Sequence, residues 1–238
     1  MPLHGNKFAV IGVGKYGSTI AMRLSQRGAQ VFAFDLDEEK IDSLKDQVFF
    51  AATIDSTDQK ALSQMNIQDV DAVVVSIGEN FEAVILTAAH LLDLGCKRII
   101  ARAHGAQQKM ILEKIGIKEI LSPEDEVAFV VTERLLNPSI ISYLQLPDDY
   151  EIAELKAPKA IINRSLTDIG LRNKYHLTLV TIKRQFEVKD GKDMVKENHI
   201  LGVPNSETIV YETDTLVVFG TRRFPCLAWP LARPWKGL

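Results

Sequence analysis

The sequence predicts an α/β protein: a Rossmann-like, doubly wound parallel sheet with a crossover helix, followed by a small α+β C-terminal domain. Three observations predict this fold class. Short apolar runs alternate with helical patterns from residue 8 onwards, and the glycine-rich loop Gly12-Val13-Gly14-Lys15-Tyr16-Gly17 separates the first run from the first helix. Beyond residue 149 the pattern changes to short strands separated by polar turns.

The elements of the first domain follow from apolar spacing and from glycine stops. Short apolar runs predict strands, most clearly at Asp71–Ser76, and helical spacing predicts helices that end at glycines such as Gly28 and Gly95. In chain order we expect strand 8–12, helix 18–27, strand 30–35, helix 38–45, strand 48–51, helix 59–65, strand 71–76, helix 80–94, strand 98–102, helix 105–115 and strand 119–121. This alternation implies a parallel sheet with helices on both faces and right-handed crossovers.

A further helix is expected to begin at Ser122 and to run through Leu136. Serine is a favourable cap, and the acidic residues that follow Pro123 suit the first turn. The predicted domains are a first domain at 7–136, a linker at 137–148, a second domain at 149–220 with strands at 150–155, 176–182 and 215–219, and a tail at 221–238.

Composition excludes several classes of protein. The 238 residues are 46% hydrophobic and 25% charged, as in globular proteins, and the net charge of −3 gives no case for a nucleic-acid partner. Two distant cysteines, Cys96 and Cys226, argue against a disulfide framework or a zinc site. No apolar run reaches the roughly 18 residues of a membrane span, and the start lacks the apolar stretch of a secretory signal. We therefore expect a cytoplasmic protein.

The glycine-rich loop predicts a nucleotide site rather than a structural turn. Gly12 permits the tight turn after the strand, Gly14 lets a pyrophosphate approach the backbone, and Gly17 lets helix and strand pack closely. The helix that follows presents unpaired N–H groups to phosphate. Asp35 ends the second predicted strand, where its carboxylate would accept hydrogen bonds from ribose hydroxyls and repel a 2′-phosphate.

Three charged residues keep two interpretations each. Lys15 either leans over the phosphates or is a solvated surface lysine. Asp55 either lines the adenine side of the cleft or caps a helix. Glu124 either holds a divalent ion against the phosphates or offsets the helix dipole, and the residues alone favour the second role.

Binding without chemistry is the favoured interpretation. No Tyr-x-x-x-Lys pair occurs, the histidines lack metal-ligand spacing, and His90 is expected to be a packed or interface side chain. An NAD(H)-dependent oxidoreductase is an alternative, although it needs a catalytic pair. A redox-sensing repressor is another, although it needs a DNA-reading segment that is not visible in the sequence.

The first domain resembles the RCK (KTN, or TrkA-N) domain of bacterial potassium-transport regulators. The resemblance rests on 8–17, Asp35, 53–57, Ser76-Ile77-Gly78 and Ser122-Pro123-Glu124. The segments 165–175 and 214–220 resemble the companion RCK-C (TrkA-C) domain. The similarity covers about 7–220, and one copy of each domain is typical of the KtrA/TrkA branch.

The resemblance implies a cytosolic regulatory subunit that gates a membrane potassium channel or transporter from the inner face of the membrane. Such subunits form dimers, arranged as octameric rings, and bind ATP or ADP, or NAD(H) in some branches, with Mg²⁺ or another divalent or monovalent cation. The resemblance places Lys15 at the terminal phosphate, Arg102 facing the nucleotide and Glu124 at a cation site between subunits. The implied nucleotide residues are Gly12, Val13, Gly14, Lys15, Tyr16, Gly17, Asp35, Asp55, Ser56, Ser76, Ile77, Gly78, Arg102 and Glu124.

The implied mechanism is allosteric: ATP and ADP make different contacts at Lys15 and Glu124, and the difference tilts the subunits of the ring. The helices at 83–94 and 127–136 would supply the subunit interfaces, unless they only cover the sheet.

Three points of the resemblance stay open: the sequence of the 54–57 segment, a ligand of the second domain and the role of the tail. The sequence Ile54-Asp55-Ser56-Thr57 lacks the glycine that is usual in the family before the acid. Some relatives bind cyclic di-AMP in the second domain, and the tail from Arg222 either is disordered, contacts a partner or is an artefact. The corresponding second-domain residues, which would equally serve a dimer core, are Leu166, Ile169, Arg172 and Asn173.

Overall fold

The computed structural model describes residues 6–136, 138, 140–190 and 193–221. Two compact units divide between Glu126 and Val127. The first contains β1 (Lys7–Ile11), α1 (Lys15–Gln26), β2 (Gln30–Asp35), α2 (Glu38–Leu44), β3 (Phe50–Thr53), α3 (Gln59–Gln64), β4 (Ala72–Val75), α4 (Phe81–Asp93), β5 (Ile99–Arg102), α5 (Gly105–Ile115) and β6 (Glu119–Leu121). Helix α6 (Pro123–Leu136) begins in the first unit, and short 3₁₀ turns occupy Lys45–Gln47 and Ile67–Asp69.

The first unit is the predicted doubly wound sheet. Its six strands are ordered β3-β2-β1-β4-β5-β6, and all pairs are parallel. Successive residues of one strand point to opposite faces, and here both faces are covered: Val73 and Val75 belong to one hydrophobic core, whereas Val74 belongs to another. The strand is therefore apolar throughout, which is why it was the clearest strand signal in the sequence.

The strand order reverses at β1, which pairs with β2 on one side and β4 on the other. The loops that follow β1 and β4 therefore leave the sheet in opposite directions and open a crevice between them. This topological switch point places the glycine-rich loop beside Ser76-Ile77-Gly78.

The second unit contains a five-stranded antiparallel sheet, ordered β10-β9-β11-β8-β7. Its core lies between the sheet and two short helices, with Ile182, Leu216 and Ile169 almost completely buried. The small α+β domain is confirmed. Its elements are β7 (Ile140–Gln145), β8 (Tyr150–Lys156), a 3₁₀ turn (Lys159–Ile161), α7 (Leu166–Ile169), α8 (Leu171–Tyr175), β9 (Thr178–Asp190), β10 (Asp193–Ile200) and β11 (Thr215–Thr221).

Several predicted boundaries need correction. The segment expected as a linker, 137–148, contains β7, which is a strand because it pairs with β8 over Ile140–Gln145. Helix α1 begins at Lys15 rather than at residue 18. The sequence did not indicate the first turn, because that turn carries no apolar pattern. The third strand is Phe50–Thr53 rather than 48–51, since its partner is Phe32–Asp35.

Two other expectations concern the tail at 221–238 and a membrane-spanning helix. Thr221 ends β11, and the rest of the expected tail, 222–238, lies outside the described part of the chain. None of the helices described is both long enough and apolar enough to cross a bilayer.

Candidate functional site

A large cleft of about 1220 Å³ opens in the first unit at the carboxyl ends of β1, β2, β4 and β5. Ligand sites of open α/β sheets lie at this position. The lining residues are Ile11, Gly12, Gly14, Lys15, Tyr16, Thr19, Asp35, Leu36, Lys40, Ile54, Asp55, Ser56, Thr57, Ser76, Ile77, Gly78, Glu79, Asn80, Ala83, Arg102, His104, Gln108 and Glu124.

Two glycines of the loop are required by the protein's own packing. Gly12 has a φ of +86°, and a Cβ there would lie 2.7 Å from the backbone nitrogen of Ile77. A Cβ on Gly17 would lie 2.0 Å from the carbonyl oxygen of Gly12 and 2.5 Å from Oγ of Ser76. The Ser76 hydroxyl donates a hydrogen bond of 2.7 Å to that same carbonyl. Because Gly12 and Gly17 carry no side chain, α1 and the segment that follows β4 can pack closely against the glycine-rich loop.

Gly14 differs from Gly12 and Gly17, because the packing of the protein does not require a glycine at this position. A Cβ at this position would meet no atom of the described residues within 4 Å, and the backbone is extended with φ −61°. Gly14 is the N-cap of α1, and it supplies no side-chain acceptor to the first N–H groups of the helix. The arrangement leaves a bare helix N-terminus facing the cleft, which suits a phosphate group.

Asp35 fixes the loop from the end of β2. Its Oδ2 accepts a hydrogen bond of 2.7 Å from the Val13 N–H, and Oδ1 accepts one of 2.9 Å from Asp37. Lys40 lies 3.4 Å from Oδ1. Desolvation lowers the pKa of Lys40, but the attraction of Asp35 outweighs it and the net shift is upward. The carboxylate is therefore both part of the cleft wall and the support of the glycine loop.

The segment Ile54–Thr57 forms the wall beyond β3. Oδ1 of Asp55 accepts hydrogen bonds from the Thr57 hydroxyl (2.7 Å) and the Thr57 N–H (2.9 Å), and these bonds lower the pKa of Asp55. The cap of α3 is Asp58, which accepts from the Lys60 N–H, so the alternative that Asp55 is a helix cap is wrong. Ile54 packs against the hydrophobic core, which explains an apolar residue where glycine was expected.

Arg102 and Glu124 meet at the opposite end of the cleft. A guanidinium nitrogen of Arg102 donates to Oε1 of Glu124, while His104 Nδ1 lies 3.7 Å from Oε2. Desolvation raises the pKa of Glu124, but the helix N–H and Arg102 outweigh it, so the net shift is downward. The Arg102 guanidinium lies 5.4 Å from the ring centre of Tyr16. Desolvation and Glu126 together raise the pKa of that phenol.

The Nε–H group of Arg102 is available to a ligand. Its Nε is buried and, within the described residues, has no hydrogen-bond acceptor. A buried donor without an acceptor costs free energy, which an incoming anionic oxygen would recover. Lys15 is exposed and lines the same cleft. The described residues contain no group of three or more metal-binding side chains.

The structure brings together nearly all of the predicted nucleotide residues. Val13 and Gly17 do not line the cleft but shape it from behind. Residues that we missed include Lys40 and Gln108 on the flanking helices and His104 at the N-cap of α5. Leu36 and Ile54 directly follow β2 and β3, and the rule that ligands bind beyond the carboxyl ends of strands would have found these two.

The predicted second-domain residues do not share one surface. Ile169 is 1% exposed, and Leu166 packs against the core of the second unit. Arg172 and Asn173 are exposed on α8. The apolar pair therefore packs into the core of its own unit, whereas the polar pair is exposed.

The fold and the cleft define the class: a Rossmann-fold protein with a phosphate-loop cleft at the switch point of its sheet. The TrkA-N domain family matches residues 8–123. The chain is 32% identical over 215 residues to the Ktr system potassium uptake protein C of Bacillus subtilis (strain 168), an alignment that covers 90% of this chain and 92% of that protein. The chain belongs to the RCK/KtrA family of potassium uptake proteins.

Two further comparisons agree with this assignment. The chain is 30% identical over 221 residues to the Ktr system potassium uptake protein A of Bacillus subtilis (strain 168), covering 93% of this chain and 94% of that protein. The crystal structure of the GsuK RCK domain superposes with a TM-score of 0.61 at 15% identity over 99% of this chain. This chain spans 50% of that chain's length, and the likeness concerns the fold alone.

Proposed function

We propose that this protein is a nucleotide-sensing regulatory subunit of a potassium uptake system. The observation that carries the proposal is a single cleft that contains the open backbone at Gly14, the carboxylate of Asp35 and the partly unpaired guanidinium of Arg102. Family membership supplies the process, since relatives of similar length are Ktr potassium uptake proteins.

The cleft fits an adenine nucleotide in one direction. The ribose hydroxyls would bind at Asp35, and the α- and β-phosphates at Gly14 and the N-terminus of α1. The base would lie against the wall formed by Ile54–Thr57. A terminal phosphate would then reach Lys15 and Arg102, the two cations at the far end.

The ion pair at the far end offers a way to distinguish ATP from ADP. Glu124 accepts a hydrogen bond from one terminal guanidinium nitrogen of Arg102, so a phosphate that binds that nitrogen would compete with the carboxylate, whereas one that binds only Nε would not displace it. ATP carries the additional phosphate that would reach this position, and a divalent ion would let Glu124 and the phosphate share the site. The difference in contacts would supply the free energy that shifts the conformation of the subunit.

Regulation rather than catalysis is the proposed role. The partner would be a membrane potassium channel or transporter subunit, which the protein would contact from the cytoplasmic side as a dimer or an octameric ring. Relatives named for potassium uptake support the partner. Binding of cyclic di-AMP would involve the exposed Arg172 and Asn173.

An NAD(H)-binding regulator is the second candidate. The cleft volume of about 1220 Å³ favours it, because ligand pockets commonly measure about 300–1,000 Å³ and a dinucleotide needs the upper part of that range. Both candidates use Asp35 for a ribose, and they differ in what lies beyond the pyrophosphate.

A thermal-shift panel tests the proposal with ATP, ADP, NADH and cyclic di-AMP, each with and without magnesium. A ligand of the folded state raises the melting temperature. We expect a response to an adenine nucleotide that Asp35→Ala abolishes, and an unchanged response in Asp42→Ala, which alters an exposed carboxylate on α2. If no adenine nucleotide stabilises the protein, the proposed function is wrong, and a response to NADH alone selects the second candidate.

A further inference from the structure

One face of α4 follows the cleft and its wall. Asn80, Ala83, Thr87 and His90 are spaced by three, four and three residues, which places them on one side of a helix. We call these four residues the α4 stripe. Asn80 and Ala83 line the cleft directly, and Asn80 caps the helix by accepting a hydrogen bond from the Ala83 N–H at 3.0 Å.

The other half of the α4 stripe holds the wall segment Ile54–Thr57. The hydroxyls of Thr87 and Ser56 lie 2.8 Å apart, and both residues are buried, at 0% and 7% exposure. Nε2 of His90 lies 3.0 Å from the carbonyl oxygen of Thr57. A carbonyl oxygen only accepts, so Nε2 carries the proton and donates it.

These two bonds join α4 to the wall segment, whose start is held separately: the Ile54 N–H donates a hydrogen bond of 2.9 Å to the carbonyl oxygen of Asp35. Among the described residues the remaining bonds of the segment are local, since the Asp55 carboxylate accepts from Thr57 and the Asp55 carbonyl accepts from the Asp58 N–H. Without the bonds from α4, the segment would keep its Asx-type turn but lose its fixed distance from the helix. A buried hydroxyl pair is also favoured only while both partners stay together, because either hydroxyl alone would be buried without a partner.

We propose that His90 and Thr87 are positioning residues for the nucleotide: they hold the base-side wall, Ser56 and Thr57, at the distance from α4 that the ligand requires. This inference rests on the proposed nucleotide-binding function and adds residues that the nucleotide itself does not touch. The direct wall residues follow from the cleft, whereas His90 lies outside its lining.

The proposal predicts a loss of affinity without a matching loss of fold. His90→Leu should raise the dissociation constant of ATP about three- to tenfold, the effect of one lost hydrogen bond. His90→Gln keeps an N–H donor at a similar reach and should restore binding. Calorimetric titration of the full chain with ATP measures the affinity, and thermal melting without ligand measures stability.

The hydroxyl pair gives an independent test. Ser56→Ala and Thr87→Val should each weaken ATP binding, and the double variant should be no weaker than the single ones, because each change already breaks the same bond. Glu82→Gln, an exposed change on another face of α4, is the matched control and should leave affinity unchanged.

The outcomes separate this inference from the proposed function. If the wild type binds no adenine nucleotide, both are wrong. If the wild type binds ATP, and folded His90→Leu and Thr87→Val bind it equally well, only the positioning role is wrong. If His90→Leu does not fold, Thr87→Val decides in the same way, since it is nearly isosteric and removes the hydroxyl partner of Ser56 from outside the cleft lining.

Discussion

The guanidinium of Arg102 and the carboxylate of Glu124 are hydrogen-bonded to each other at the phosphate end of the cleft. Arg102 is the most enclosed cation of the site, with a side chain that is 16% exposed, whereas the side chain of Glu124 is half exposed. A ligand phosphate that binds the guanidinium nitrogen used by Glu124 therefore competes with that carboxylate, and the competition can be tested directly.

Glu124→Gln should affect ATP binding in opposite directions with and without a divalent ion. Without magnesium the variant should bind ATP about threefold more tightly, because the competing negative charge is gone. With magnesium it should bind more weakly, because the carboxylate would otherwise help to hold the ion. Titration calorimetry with ATP checks both signs.

The exposed change Glu113→Gln on α5 is the control for this experiment. Weaker binding by Glu124→Gln under both conditions would contradict the competition.

The glycine loop predicts a contrast between two alanine substitutions. Gly17→Ala should lower the free energy of unfolding by about 1–3 kcal/mol, because its Cβ would overlap the Gly12 carbonyl. Gly14→Ala should leave stability unchanged, since its Cβ meets only open space, but should weaken nucleotide binding. Urea unfolding without ligand and a nucleotide titration distinguish the two. Equal effects of Gly14→Ala and Gly17→Ala on stability would contradict this interpretation.

The turn at Asp55 predicts a pH dependence of stability. The folded state lowers the pKa of Asp55 through the hydroxyl and N–H of Thr57. Its contribution is therefore present above the ordinary pKa of about 3.9 and is lost as the pH falls through the folded value. Thr57→Val removes the hydroxyl donor, so its deficit in free energy of unfolding should be full at pH 7 and shrink below about pH 4.

Urea unfolding at a series of pH values between 7 and about 3 measures this deficit. Thr53→Val, an exposed change on β3, should show no such dependence. A deficit of Thr57→Val that is the same at every pH would show that the hydroxyl does not act through Asp55.

The second unit depends on a buried ion pair. Asp214 is 1% exposed and accepts hydrogen bonds from Arg184 at 2.8 and 2.7 Å and from the Tyr211 N–H at 2.8 Å. Bonding to Asp214 raises the pKa of Arg184 despite desolvation. Asp214→Ala should lower the free energy of unfolding by about 3 kcal/mol, because it strands a partly buried cation.

Replacing both partners, as Arg184→Met with Asp214→Ala, should recover part of that loss, because no unpaired charge remains. Denaturant unfolding of the full chain, followed by a probe in each unit, checks the magnitude. If Asp214→Ala alone proves neutral, the pair has no stabilising role.

Local signals explain how much of the fold was predictable. The apolar runs Phe8–Gly12 and Asp71–Ser76 correspond to strands buried on both faces, so their pattern is continuous and clear. The strand at Ile140–Gln145 was missed because the segment after Asn137-Pro138 was interpreted as a connection, although its β-branched and aromatic residues favour a strand. The first turn of α1 was missed because Lys15 and Tyr16 line the cleft and its residues form no apolar pattern.

The site was predictable where one residue type is required by geometry. Gly12 and Gly17 are such positions, as their close contacts show. The bond from His90 to Thr57 joins residues far apart in the chain, and no spacing in the sequence indicates it. The family resemblance did indicate Arg102 and Glu124, but not that they bind each other.

The cleft draws its walls from almost the whole length of the first unit, from Ile11 at the end of β1 to Glu124 at the start of α6. A bound nucleotide would consequently contact both the first and the last segments of the unit and hold them together. No fragment of the unit would retain the site, and two complementary fragments, divided for example at the exposed turn near Gly95, would regain it only on reassembly. Ligand-dependent reassembly of such halves would make the protein a split reporter for its own nucleotide.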